Sequence, residues 1–260
     1  MVARMEVTKH APGTPSWVDV SSTNLSATVE FLKELFGWNA TDTGEEAGHY
    51  TMFDQDGKTV AAAGPKMPND PGPASWTTYI TVADADETVA KAKAAGGSVI
   101  VEPMDVFDAG RMAILSDPSG GVFAIWQPGT SIGARLVNEP NSLCWNELTV
   151  RDADAVLPFY SDVFGWTVVK HDDPFPYREL HLDGKPIGGC IEMNENFPPG
   201  LPTHWMVYFA VADCDAIVER ARSLGGSVHV EPMDIPVGRM ALIGDPGGAV
   251  CAVIKLERPM

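Results

Sequence analysis

Apolar side chains at Leu25, Val29, Leu32 and Phe36, flanked by Thr28 and Leu35, fall on one helical face, so the spacing predicts a helix over residues 25–36 that Gly37 ends. Ahead of it, Trp17 to Ser21 reads as a short strand. After it come strand-like stretches joined by Asp56-Gly57-Lys58, a turn that supplies the positive φ of a tight hairpin. The unit is a strand, a helix and about three antiparallel strands, closed by a proline-rich connector over residues 64–74.

A second unit follows in the same order. Trp76 to Val82 is a strand, Asp84 and Asp86 are candidate helix caps, residues 87–95 form a helix, and Gly96-Gly97 stop it. Strands around Val99, over residues 111–115 and over residues 122–126 complete the unit, with Asp117-Pro118 in the last turn.

The whole pattern then recurs. Residues 145–149 and 153–164 repeat the first strand and helix, Gly165-Trp166 repeats Gly37-Trp38, and Asp183-Gly184-Lys185 repeats the hairpin turn. Pro158 falls in mid-helix, which predicts a late start or a kink. A connector at 197–202, a strand over 205–211, a helix over 216–224 and strands near Val228, Met240 and Val250 finish the copy. Gly96 to Asp105 returns as Gly225 to Asp234 with only Ile100 replaced, by His229, and Gly110-Arg111-Met112-Ala113 returns as residues 238–241. Four βαβββ units of about 55 to 60 residues predict an α+β protein of two domains, each with its own apolar core. They span residues 1–127 and 142–260, joined by a linker over 128–141. In a doubled chain each half is a control for the other, and a residue that does not recur is a candidate for one-sided function.

Charge narrows the partners. With 18 Lys plus Arg against 35 Asp plus Glu, the net charge of -17 repels phosphate backbones and anionic bilayers, so neither nucleic acid nor a membrane is expected as partner. No run approaches the roughly 18 apolar residues of a membrane span, and the first twenty residues lack an apolar leader core, so a soluble cytoplasmic protein is expected. Cys144, Cys190, Cys214 and Cys251 all lie in the second half, where the first has Ser16, Ala63, Ala85 and Phe123. Their spacing fits neither a metal knuckle nor a redox pair, and they read as buried free thiols. No nucleotide loop, Ser-His-Asp arrangement or His-Glu-x-x-His motif is present.

Four such units, with Phe31-Leu32 or Phe159-Tyr160 shortly before Phe-Gly-Trp and Asp-Pro-x-Gly before the final strand, resemble the vicinal oxygen chelate superfamily, the glyoxalase/bleomycin resistance protein/dioxygenase-like proteins, in its four-module actinobacterial type. The resemblance implies paired modules curled into two open β-barrels, each around a cavity. It also implies that metal-dependent members carry a His or Gln on the first strand of a module and a Glu on the last. Carried over by family spacing, the first-strand positions are Trp17, Thr77, Trp145 and Met206, and the Glu positions are Ala124 and Ala252. Indole, hydroxyl, thioether and methyl groups are not the imidazole and carboxylate donors that a divalent transition metal takes, so no metal and no other cofactor is expected. A register one residue off brings Asp19, Asn146, Glu147 or His204 nearer those places. His10, His49, His171, His181, His204 and His229 are scattered and offer no replacement set.

Residues two apart on a strand share a face. If Trp17 lines a barrel, Asp19 and Ser21 do too; the other first strands add Thr77, Tyr79 and Thr81, then Trp145, Glu147 and Thr149, then Met206, Tyr208 and Ala210, with His204 at the rim. Each cavity then holds a Trp, a Tyr and one carboxylate, which suits a planar, largely apolar small molecule; the plainer alternative is that Trp17 and Trp145 plug shrunken barrels. Asp19 and Glu147 need solvent, a ligand donor, or a partner such as Arg111 or Arg239, and burial would equip them as acid or base. Arg111 and Arg239 read first as structural partners of a turn or carboxylate, and Trp38 and Trp166 as helix-end packing. The functions implied are metal-independent binding in resistance, carriage or antibiotic biosynthesis; a lyase, isomerase or oxygenase; or a structural protein with closed cavities. Because both halves lie in one chain, a monomer or homodimer is expected.

Overall fold

The computed structural model describes residues 6–67, 72–172 and 176–258. The first half runs β1 (Pro15–Ser22), α1 (Leu25–Phe36), β2 (Asn39–Asp42), β3 (Thr51–Gln55), β4 (Lys58–Pro65), β5 (Ser75–Thr81), α2 (Ala85–Ala94), β6 (Ser98–Val106), β7 (Gly110–Ser116) and β8 (Val122–Pro128). The second runs β9 (Ser142–Val150), α3 (Ala153–Phe164), β10 (Thr167–His171), β11 (Tyr177–Leu182), β12 (Lys185–Glu192), β13 (His204–Ala210), α4 (Cys214–Ser223), β14 (Ser227–Ile235), β15 (Gly238–Gly244) and β16 (Val250–Leu256). The α+β class and the fourfold βαβββ order expected from the sequence are both present.

Each half folds its strands into one mixed sheet, in the orders β2-β3-β4-β1-β5-β8-β7-β6 and β10-β11-β12-β9-β13-β16-β15-β14. Modules join where their first strands pair antiparallel, β1 with β5 and β9 with β13. The hairpins turn as expected: Asp56 and Gly57 have φ of 54° and 74°, and Asp183 and Gly184 repeat this at 50° and 75°.

Local chemistry sets the helix limits. Asn24, Asp84, Asp152 and Asp213 each accept the backbone N–H three residues on, a cap contributing about 1 kcal/mol. Asp86 lies inside the first turn of α2 and is not the cap. No late start marks α3: it begins at Ala153 and runs to Phe164. Pro158 lies on the exposed side, as does Asp154, whose carbonyl it leaves without a helical donor.

The two largest apolar cores each draw on both halves. One joins Phe31, Leu32, Phe36, Trp38 and Phe53 to Val207, Phe209, Val218 and Ile243. The other joins Val89, Leu115 and Phe123 to Phe159, Tyr160, Trp166, Leu180 and Trp205. Helix α1 packs on α4 and α2 on α3, so each sheet's helix layer is sealed by the other half. The doubled Gly-Gly serves this contact: a Cβ on Gly97 would lie 2.7 Å from the Phe159 ring, and one on Gly226 2.7 Å from the Phe31 ring. Trp38 Nε1 donates to the Asn141 carbonyl (2.8 Å) and Trp166 Nε1 to the Gly13 carbonyl (2.7 Å), so these helix-end indoles also lock one half to the other. Tyr160 donates to Asp117 at 2.8 Å, and Thr28 donates to Asp245.

Candidate functional site

With helices covering one face of each sheet, the opposite face is left as a trough. In the first half, Trp17, Ala62, Tyr79, Ala124 and Trp126 gather there with residues from β3 and β6, strands far apart in the sheet order, so the sheet curls around them. In the second half the matching cluster is Cys144, Tyr208, Ala210, Met240, Ala252 and Ile254, with Trp145 and Met206 against it.

Strand register brings most of the expected residues together. Trp17 pairs with Tyr79 and Asp19 with Thr77, while Tyr79 pairs with Ala124. Trp145 pairs with Tyr208 and Glu147 with Met206, while Tyr208 pairs with Ala252. His204 starts β13 opposite Thr149, bonded through Nδ1 to the Pro202 carbonyl oxygen (2.9 Å), at the rim. Asn146 faces the opposite way, its Oδ1 accepting from Thr78 across the two halves (2.8 Å).

Side chains then form the same chain twice. Tyr79 donates to Asp19 Oδ2 (2.8 Å), Tyr50 donates to the same oxygen (2.9 Å), and Trp17 Nε1 donates to the Tyr50 hydroxyl (3.3 Å). Tyr208 donates to Glu147 Oε1 (2.8 Å), Tyr177 hydrogen-bonds the same carboxylate, and Trp145 Nε1 donates to the Tyr177 hydroxyl (2.9 Å). Burial pushes the Asp19 carboxyl above its ordinary value against the opposing donors Tyr79, Tyr50 and Thr77, and pushes Glu147 up against Tyr208 and Tyr177. Burial first, and then the neighbouring carboxylate, raise all four phenols, which therefore remain protonated donors at neutral pH.

Tyr50 and Tyr177 were missed by the strand-face reading, which followed only first strands. A signal existed: each lies six residues before the Asp of its Asp-Gly turn. Arg111 and Arg239 do not partner Asp19 and Glu147. Arg111 grips Asp86 through Nε (2.8 Å) and Nη2 (3.0 Å) and Asp105 through Nη1 (2.9 Å), and Arg239 repeats this on Asp215 and Asp234. The doubled Glu-Pro-Met-Asp and Gly-Arg-Met-Ala thus tie an edge hairpin to the start of a helix. The four cysteines are buried and free, and burial raises Cys144, Cys190, Cys214 and Cys251 alike, so they are unreactive thiols.

The two troughs differ at one end. In the first, residues 133–136 fill the start of the β1–β4 ladder: Ala134 N–H donates to the Ser16 carbonyl (2.8 Å) and Arg135 N–H to that of Thr59 (2.8 Å). Fully buried Ala134 packs in the Trp17 cluster, and Trp126 Nε1 donates to the Ser131 carbonyl (2.9 Å). In the second, the described members of the cluster all come from strands, and Trp145 is partly exposed where Trp17 is buried.

The residues at the positions implied for a metal do not fit one. Trp17, Thr77 and Ala124, and Trp145, Met206 and Ala252, supply no imidazole or carboxylate, and among the described residues no group of three or more His, Cys, Asp or Glu is arranged to hold an ion. No described helix is long and apolar enough to cross a membrane.

Comparison with known proteins gives consistent matches. The family model Glyoxalase/Bleomycin resistance protein/Dioxygenase superfamily matches residues 14–125 and 142–253. The chain is 42% identical over 254 residues to the provisionally named glyoxylase CFP32 of Mycobacterium tuberculosis (strain CDC 1551 / Oshkosh), covering 95% of this chain and 96% of that protein. It is 39% identical over 270 residues to anthracycline biosynthesis protein DauV of Streptomyces sp. (strain C5), covering 96% of both. The Mn(II)-bound glyoxalase from Novosphingobium aromaticivorans superposes with a TM-score of 0.68 over 96% of this chain and 84% of that one; at 15% identity this shows the fold alone.

Proposed function

The chain belongs to the Glyoxalase/Bleomycin resistance protein/Dioxygenase superfamily, and on that premise we propose that it binds an aromatic or polycyclic small molecule in a trough without a metal ion. One observation carries the reading: the same Trp-Tyr-carboxylate-Tyr chain stands on both trough faces, its Trp17 or Trp145 at a position where the resemblance implies a metal ligand. Indole and phenol faces offer apolar area at little entropic cost, and the carboxylate and hydroxyls orient a polar edge. Similarity to a protein named for anthracycline biosynthesis supports a polycyclic ligand and a role in resistance, carriage or biosynthesis. The test is titration of chelator-treated protein with 2,6-dihydroxyanthraquinone, read by tryptophan quenching. Saturable quenching is expected, and a requirement for stoichiometric transition metal would overturn the reading.

The raised Glu147 carboxyl beside Tyr208 favours a second reading, metal-free acid–base chemistry of the lyase or isomerase kind on the bound molecule. It requires Glu147→Gln to abolish conversion of a bound compound while leaving its binding in place.

A further inference from the structure

The two troughs share the Trp-Tyr-carboxylate-Tyr chain but differ in the row that crosses it. In the first half the row reads Met52, Ala62, Asp19, Thr77; in the second it reads Glu179, Gly189, Glu147, Met206. Residues paired across a ladder point to the same face, so Glu179 stands on the trough side with Glu147. Gly189 sits between them, and a Cβ there would lie 1.8 Å from the Tyr177 hydroxyl oxygen, so the absent side chain leaves room for that hydroxyl. His181 Nε2 meets Glu179 Oε2 at 2.6 Å, and His171 Nε2 lies 3.8 Å from the same oxygen. At the matching positions the first half has Met52 and Asp54, and Asp54 accepts from Asn39 and from Gly57 N–H; its own imidazole–carboxylate contact, His49 to Asp42 at 2.9 Å, lies at other positions and is exposed.

Resting on the binding reading above, we propose that the second trough is the working site, and that Glu179 and His181 select a planar polycyclic aromatic bearing a phenolic hydroxyl. The Trp145 face takes the ring system, and the hydroxyl sits at the Glu179–His181 pair, donating to the carboxylate or accepting from the imidazole N–H. The pair is open enough to be met, with side-chain exposures of 31% for Glu179 and 15% for His181. The first trough, with linker residues packed into its Trp17 cluster and Met52 in place of Glu179, is the structural copy. A site that has lost a hydrogen-bonding partner leaves the ligand's hydroxyl desolvated and unpaired, and that penalty is what discriminates.

The test compares 2,6-dihydroxyanthraquinone with unsubstituted anthraquinone by calorimetry and tryptophan quenching. The proteins are the intact chain, Trp145→Ala, and the double variant Glu179→Met/His181→Asp, which installs residues with which the first half already folds. One dihydroxyanthraquinone per chain is expected, with binding lost in Trp145→Ala. The double variant should weaken the hydroxylated probe by about tenfold and the unsubstituted one by less than about twofold. Two molecules per chain, or binding kept in Trp145→Ala, would place the site elsewhere and overturn the proposal while leaving the binding function standing. Equal weakening of both probes would make the pair a structural element. Failure of the intact chain to bind either probe would sink the binding function and this proposal together.

Discussion

Asp19 and Glu147 are carboxyls held by phenols and an indole network rather than by the arginines, and that has a consequence for stability against pH. Burial raises their pKa in the folded state, so between the ordinary carboxyl value near 4 and the raised value the folded chain binds more protons than the unfolded one. Their contribution is complete below the unfolded pKa and is lost as pH rises through the folded one. Glu147→Gln, which carries no such titration, should therefore gain on the wild type in urea midpoint as pH is taken from 4 to 8; a gap that stays constant over that range would show that Glu147 is solvated and unshifted. Trp17, Asp19, Trp145 and Glu147 were legible in the sequence because strand alternation assigns a face from two residues' spacing. Tyr50 and Tyr177 were not, because Tyr50 lies just ahead of β3 and Tyr177 starts β11, strands two places from the first strand of their sheet, and which strands reach across to it is set by sheet order, not by local pattern. Tyr177→Phe keeps the ring and removes one donor to Glu147, and should raise the Glu147 pKa further; carboxyl chemical shifts followed by pH titration would read it, and a fall would contradict the hydrogen bond.

At the scale of elements, caps and turns were readable because each depends on a few adjacent residues: Asp84 before a helix, Gly37 or Gly165 after it, Asp-Gly in the hairpins. Pro158 did not delay the start of α3. Its cost depends on whether the freed carbonyl meets water, and Pro158 and Asp154 both lie on the exposed side of α3. The second glycine of each Gly-Gly is likewise a matter of contact, not of turn geometry. Gly226→Ala would put a methyl 2.7 Å from the Phe31 ring and 2.8 Å from the Gly244 carbonyl oxygen, and Gly97→Ala would meet Phe159 and the Ser116 carbonyl. Overpacking against backbone is not relieved by a rotamer change, so each substitution should cost about 1–3 kcal/mol in denaturant unfolding. A cost near zero would mean that the helix layers slide freely over one another.

At the scale of the molecule, the repeat correctly announces two sheets but hides how they are stabilised. Internal similarity records which residues recur and not which copy they touch; Phe31 and Phe159 recur because each fills a glycine gap in the other half. The shared cores make cooperative folding a property of the whole chain. Separate expression of residues 1–137 and 138–260 would expose the faces of α1 and α2 in one piece and of α3 and α4 in the other, along with the unsatisfied indoles of Trp38 and Trp166. Neither piece should sediment as a folded monomer, since an exposed apolar face of that extent drives association or aggregation. Mixed during refolding, the two should recover a one-to-one complex with the near-ultraviolet spectrum of the intact chain. A homodimer of one piece would obey the same logic, with a second copy supplying the missing helix layer. A monomeric half that unfolds cooperatively would show instead that each sheet carries enough core of its own.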